Sequence, residues 1–255
     1  MKFPDQPRVI YDQNPLVEVV CQLTFNRLLL LDERVPAVFQ SNLGRNYPKT
    51  STRDAFEFKI TVGDENVSRP SMRTMYDFGT KDGFTKITIC SEFIAVITSR
   101  YEKWENYLHN ISVALSALTS SYDVPEFTRI GLRYVNVIDR DKLGLTSSWN
   151  ELAPRNSSGL FAQGGINENE MIEYNSAIVF NMGVGKAALR QGLSVKDSVL
   201  DGKFLIDCDF FVDEPVEGTE NALSILNDFN RTARNAFRWL ISDQLHNALG
   251  PKSVD

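Results

Sequence analysis

The stretch Val17-Glu18-Val19-Val20-Cys21-Gln22-Leu23-Thr24-Phe25-Asn26 decides the fold. Val17, Val19, Cys21, Leu23 and Phe25 alternate with Glu18, Val20, Gln22, Thr24 and Asn26. Side chains repeat every two residues along a strand, so this segment reads as a strand with one face buried. Residues 32–47 then change period. Val35, Val38, Phe39, Asn42 and Leu43 recur at spacings of three and four, and Pro36 suits a first turn, which predicts a short amphipathic helix. Phe56, Phe58, Ile60 and Val62 alternate again, and strand signals follow at 72–78, 84–90 and 93–98. Turns around Gly63-Asp64, Gly79 to Gly83 and Ser91-Glu92 join them as an antiparallel meander. Ser99 and Glu102 stand three apart, as a capping box needs, and are expected to open a helix with the stripe Trp104, Leu108, Ile111, Leu115, Leu118 and Tyr122. Pro125 closes it.

The same order then recurs. Ile130, Leu132, Tyr134 and Asn136 alternate with Arg129, Gly131, Arg133 and Val135 as a new first strand. Residues 147–152 form a short helical turn capped by Ser147 or Ser148, and the polar, Gly-rich residues 154–170 read as a loop. Strands resume at 172–181, 187–195 and 203–213, the last with Phe204, Ile206, Cys208, Phe210 and Val212 on one face. A helix over 219–249, ~45 Å long at 1.5 Å per residue, shows an apolar face through Leu223, Leu226, Phe229, Ala233, Phe237 and Leu240. Such a helix must cover a sheet, a partner, or both. The expected architecture is α+β, largely antiparallel sheet, in two strand-helix-meander-helix halves (1–125 and 126–255) forming one continuous domain with the long helices packed on the sheet. That duplicated order resembles the TATA-binding-protein-like fold, which speaks to architecture and not to function.

Composition narrows the class further. At 255 residues, 42% hydrophobic and 24% charged, the chain has ordinary globular composition and can bury a core without staples. The three cysteines, Cys21, Cys90 and Cys208, form no C-x-x-C pair and fall in apolar runs, which argues for a reducing compartment. The opening residues lack the apolar core of a signal peptide, and the longest apolar run, 28–31, is too short to span a bilayer. A cytoplasmic protein with no membrane contact is the expectation. A net charge of −6 disfavours nucleic acid as a partner except through a local basic patch.

The stretches Asn14-Pro15-Leu16-Val17-Glu18-Val19-Val20-Cys21-Gln22-Leu23-Thr24-Phe25, Arg129-Ile130-Gly131-Leu132-Arg133-Tyr134-Val135-Asn136 and Phe237-Arg238-Trp239-Leu240-Ile241-Ser242-Asp243 together resemble a sporadically distributed bacterial family of unknown function. The resemblance spans nearly the whole chain and brings no catalytic residues with it. It implies an accessory gene of a mobile or antiphage-defence locus.

Four constellations bear on chemistry. Gly183-Val184-Gly185-Lys186-Ala187-Ala188 fits G-x-G-x-x-[GA], but a dinucleotide fingerprint needs a following helix to meet the pyrophosphate, and a strand follows here. Phe180 and Ala187 also break the P-loop pattern, so a hairpin turn is expected. Asp207 and Asp209 share a strand face, with Asp213 four residues on; clustered carboxylates of this kind can hold a divalent cation for metal-dependent hydrolysis of phosphodiesters. The bland reading is a solvated sheet face. His109 and His246, the only two histidines, are expected on helix surfaces. Arg129 and Arg133 share a face with Gly131 between them, leaving a gap between two guanidinium forks that suits an anion. The alternative is cross-strand pairing with Glu57 or another acidic neighbour.

The functional expectation is therefore a non-enzymatic binding or accessory subunit of a bacterial assembly, with no cofactor and no assigned catalytic residue. It would meet a protein partner, or a second copy, through the last helix. Binding residues Arg129 and Arg133 are the leading candidates. The alternatives are a metal-dependent hydrolase or nuclease using Asp207 and Asp209, and a nucleic-acid binder using the Arg129/Arg133 face.

Overall fold

The computed structural model describes residues 2–57, 71–153, 170–194 and 202–254. The expectations at Phe58, Ile60, Val62, Gly63 and Asp64, in the loop 154–169, and at Val195 lie outside these residues.

Strand β1 (Val9–Tyr11) is followed by β2 (Leu16–Thr24). Where the spacing predicts one helix over 32–47, two short ones form, α1 (Leu29–Glu33) and α2 (Ala37–Leu43), ending in a 3-10 turn. Pro36 is the cause of the break: it lies at the N-cap of α2, where its lack of an N–H costs nothing. A meander follows of β3 (Lys49–Glu57), β4 (Ser71–Gly79), β5 (Thr85–Ile89) and β6 (Phe93–Thr98), and then α3 (Trp104–Ser121). The second half runs β7 (Glu126–Phe127), β8 (Arg129–Ile138), α4 (Trp149–Leu152), β9 (Glu173–Asn181), β10 (Lys186–Ser194) and β11 (Phe204–Val212). It closes with β12 (Val216–Glu217), α5 (Thr219–Leu240), α6 (Asp243–Ala248) and β13 (Pro251–Ser253).

The architecture is α+β. Nine strands form one sheet in the order β3-β4-β5-β6-β2-β8-β11-β10-β9, and every neighbouring pair is antiparallel. The order is close to symmetric about its centre. In each half the first strand pairs with the last strand of its own meander, and the meander steps outward from there. β2 and β8 then meet in register, Leu23 opposite Ile130 and Cys21 opposite Leu132.

Alternation decides which face is covered. Val19, Cys21 and Leu23 of β2, Ile130 and Leu132 of β8, and Phe204, Ile206, Cys208 and Phe210 of β11 all turn inward and are buried side by side. Helices α3 and α5 lie over this face. Tyr107 of α3 is buried and donates its hydroxyl to the Val96 carbonyl at 2.7 Å, tying helix to sheet. Phe229 of α5 packs on Phe210 with ring centroids 6.4 Å apart. The three cysteines are free and buried, as small apolar side chains.

Two predicted helix ends move. Ser99 does not cap α3: its N–H pairs with the Phe84 carbonyl at 2.9 Å at the end of the β5/β6 hairpin, and the helix starts at Trp104. The last helix does not run to 249. It stops at Leu240, Ile241 turns extended, and the Ser242 hydroxyl caps α6 by accepting from the Leu245 N–H at 3.2 Å. The apolar stripe of α5, including Ala222, Leu226, Phe229, Ala233 and Leu240, is buried against the sheet. At α4, Ser148 and Glu151 form the capping box. Among the described residues no helix is long and apolar enough to cross a membrane.

Candidate functional site

The sheet face opposite α3 and α5 brings the sequence candidates together. In the ladder Asp209 stands opposite Arg133 and Phe211 opposite Gly131, so the arginines of β8 and the aspartates of β11 point the same way. Both guanidiniums then reach diagonally. Arg133 makes a bidentate pair with Asp207, at 2.7 and 2.8 Å, and Arg129 donates to Asp209 at 3.0 Å. Arg190 of β10 adds a longer contact to Asp207 at 3.4 Å. The Asp207 carboxylate is nearly buried, at 4% exposure, whereas Arg133 keeps 44%. Asp207's hydrogen bond holds the Arg133 pKa above its ordinary value, ahead of the opposing effect of burial.

Gly131 makes this geometry possible. A Cβ there would collide with an Arg129 guanidinium nitrogen, so the gap between the arginines is filled by Arg129 itself. The same guanidinium lies 4.8 Å from the Phe211 ring centroid. The acidic partners are thus Asp209 and Asp207 of the adjacent strand, while β3, which carries Glu57, is at the far edge of the sheet. Asp213 bonds Lys186 at 2.6 and 2.9 Å instead of joining Asp207 and Asp209. Among the described residues there is no group of three or more His, Cys, Asp or Glu side chains placed to hold a metal ion.

The Gly183 motif is a hairpin turn between β9 and β10, closed by the Met182 N–H on the Gly185 carbonyl at 2.9 Å. Gly185 has φ +69°, and a Cβ there would run into the Phe211 carbonyl oxygen. His109 is exposed on α3. His246 is not a plain surface residue: it is half-buried, with Nδ1 2.8 Å from the Tyr11 hydroxyl.

His246 belongs to a cavity of about 190 Å³ on the helix side of the sheet, of which the sequence gives no sign. One wall is the N-terminal segment, held to α5 by Asn235, which donates to Asp5 at 3.0 Å and accepts from the Gln6 N–H at 3.1 Å. The segment is also tied to the residues after α6 by the β1/β13 pair. The floor is Tyr134 and Asn136 of β8 with Cys208 of β11, and the facing wall is α5. Trp104, Ala233 and Phe237 supply apolar surface, while Arg8, Arg234 and Arg238 supply positive charge.

These three arginines differ in their partners. Arg8 donates to Glu105 at 2.7 Å. Arg238 pairs with Asp243 and donates to the Ile241 carbonyl at 3.2 Å. Arg234 has a buried Nε with no hydrogen-bond partner among the described residues. Burial, then the charges of Arg8 and Arg231, hold its pKa below the ordinary arginine value, with Asp5 opposing them. Burial likewise pushes Tyr11 and Tyr101 up to about 12, so both line the cavity as neutral hydroxyls. No sequence motif marks the site, since its residues come from elements far apart in the chain.

Compared with models of known protein families and with curated proteins, the sequence matches none.

Proposed function

We propose that this chain is a non-enzymatic binding or accessory subunit of a bacterial multi-protein assembly, in the cytoplasm, as the family resemblance and its link to antiphage-defence loci imply. The observation that supports it most is the β9 edge. β9 ends the sheet with nine residues, Glu173–Asn181, and its outer side has no strand partner among the described residues. Ile178 and Val179 are 59% and 62% exposed, and Ile172 and Val184 beside the strand are exposed as well. An open edge offers unpaired N–H and C=O groups, and exposed apolar side chains on both faces add area to whatever strand pairs with them. The apolar stripe of α5 is already covered by the sheet, so the partner or second copy meets the chain at β9 rather than at that stripe. The open sheet face favours neither alternative reading. Its arginines are neutralised by Asp207 and Asp209, which leaves less charge for a phosphate backbone and fewer free oxygens for a metal.

Light scattering and co-purification from the bacterial host test this. The wild-type chain is expected to self-associate or retain a protein partner, and Ile178→Lys or Val179→Lys to abolish that association without altering the fold. A strict monomer that retains nothing, or an association indifferent to both substitutions, would overturn it.

A further inference from the structure

We infer that the cavity between the N-terminal segment and α5 binds a small organic anion: one carboxylate-like head on an apolar body about the size of a single ring. The inference goes beyond the proposed function, because it concerns another face of the molecule and does not depend on the β9 edge.

Size sets the first limit. A dry cavity of about 150 Å³ accommodates benzene, so about 190 Å³ has room for one ring or a short acyl chain. Trp104, Ala233 and Phe237 give that body an apolar surround. Charge sets the second limit. Arg8, Arg234, Arg238 and His246 all line the cavity, with Glu102 the acidic side chain among the lining residues. Two of the arginines are already engaged by Glu105 and Asp243. The Arg234 Nε is buried and has no acceptor among the described residues. A buried donor without an acceptor is unfavourable, and a carboxylate meets a guanidinium fork with two parallel hydrogen bonds. An anionic head beside the Arg234 guanidinium offsets the like charges of Arg8 and Arg231 that bear on it. Tyr11, whose hydroxyl lies 2.8 Å from His246 Nδ1, adds a neutral polar group to the lining.

Calorimetric titration of the full chain with benzoate and with hexanoate tests the inference. Benzamide serves as the neutral match, and inorganic phosphate as a head without a body. At least one carboxylate is expected to bind saturably with Kd of about 1 mM or tighter. Benzamide and phosphate should each bind about tenfold more weakly or worse. Arg234→Gln should weaken carboxylate binding about tenfold, while Ile178→Lys, on the distant β9 edge, leaves it unchanged. If Arg234→Gln does not fold, Ala233→Met, which reduces the cavity from the same helix, should abolish binding. The inference is overturned if neither carboxylate saturates by about 10 mM. It is equally overturned if benzamide matches benzoate, or if the folded Arg234 and Ala233 variants bind as the wild type does.

Discussion

The open sheet face and the cavity beneath α5 both gather arginines, and they settle the charge in opposite ways. On the sheet, Arg129 and Arg133 of β8 meet Asp209 and Asp207 of the adjacent strand and Arg190 shares Asp207, so every guanidinium there has a carboxylate. In the cavity, Arg8 from the N-terminal segment and Arg234 from α5 come together, and the Arg234 Nε has no hydrogen-bond acceptor among the described residues. A sheet register puts complementary side chains side by side across a whole strand pair. A cavity assembled from distant segments has no such rule, and a charge left over there is more informative than a paired one.

The sharpest way to break this comparison is Arg133→Ala. It strands the nearly buried Asp207 carboxylate with only the longer contact from Arg190, and should cost about 2 kcal/mol in chemical denaturation, below the about 3–5 kcal/mol of fully buried pairs because Arg133 is partly in water. Asp207→Ala should cost less than Arg133→Ala, since the arginines it frees can turn to solvent. Gly131→Ala should cost about 1 kcal/mol, by driving Arg129 off Asp209. A smaller effect is expected from pH. Burial, then Arg238, hold the His246 pKa below its usual 6.5, with Asp243 opposing them. The unfolded chain therefore binds the proton more readily, and this contribution to stability is full above about pH 6.5 and is lost as pH falls toward the folded value. Wild-type stability should fall more steeply than that of His246→Gln between about pH 7 and pH 5. Arg234→Gln should be the mildest, within about 0.5 kcal/mol of wild type or slightly stabilising, because it removes a like-charge contact and leaves the donor's bonding no worse. A loss there as large as that of Arg133→Ala would erase the distinction between the two regions.

Most of the sheet is legible from alternation alone. β8 and β11 each carry a mainly apolar inward row over nine positions and β2 one from Val19 to Phe25, long enough to show a two-residue period. Val17, expected in the same row, is instead exposed where the β2/β8 register shifts between Leu16 and Glu18. The strands β1, β7, β12 and β13 have two or three residues each, too few to show any period, and they exist because distant backbone meets them. The end of α5 is hidden because Leu240, Ile241 and Leu245 continue a helical spacing, whereas the backbone turns at Ile241 and restarts on the Ser242 cap. Candidate residues on β8 and β11 are visible as same-face pairs, but not that the two strands are neighbours. The cavity leaves no trace in the sequence: Arg8, Tyr134 and Arg234 are joined only by the fold.

The central seam also has a consequence in time. Thr24 on β2 touches Thr128, next to β8, across 104 residues of chain. At a synthesis rate of about 5–20 residues per second, β2 stands on the ribosome for roughly ten seconds before its second neighbour emerges. During that interval β6 can close one side, while the other remains a template for the same strand of another nascent chain. Exchange of whole halves between molecules is thus the misassembly to watch for when the protein is refolded at high concentration.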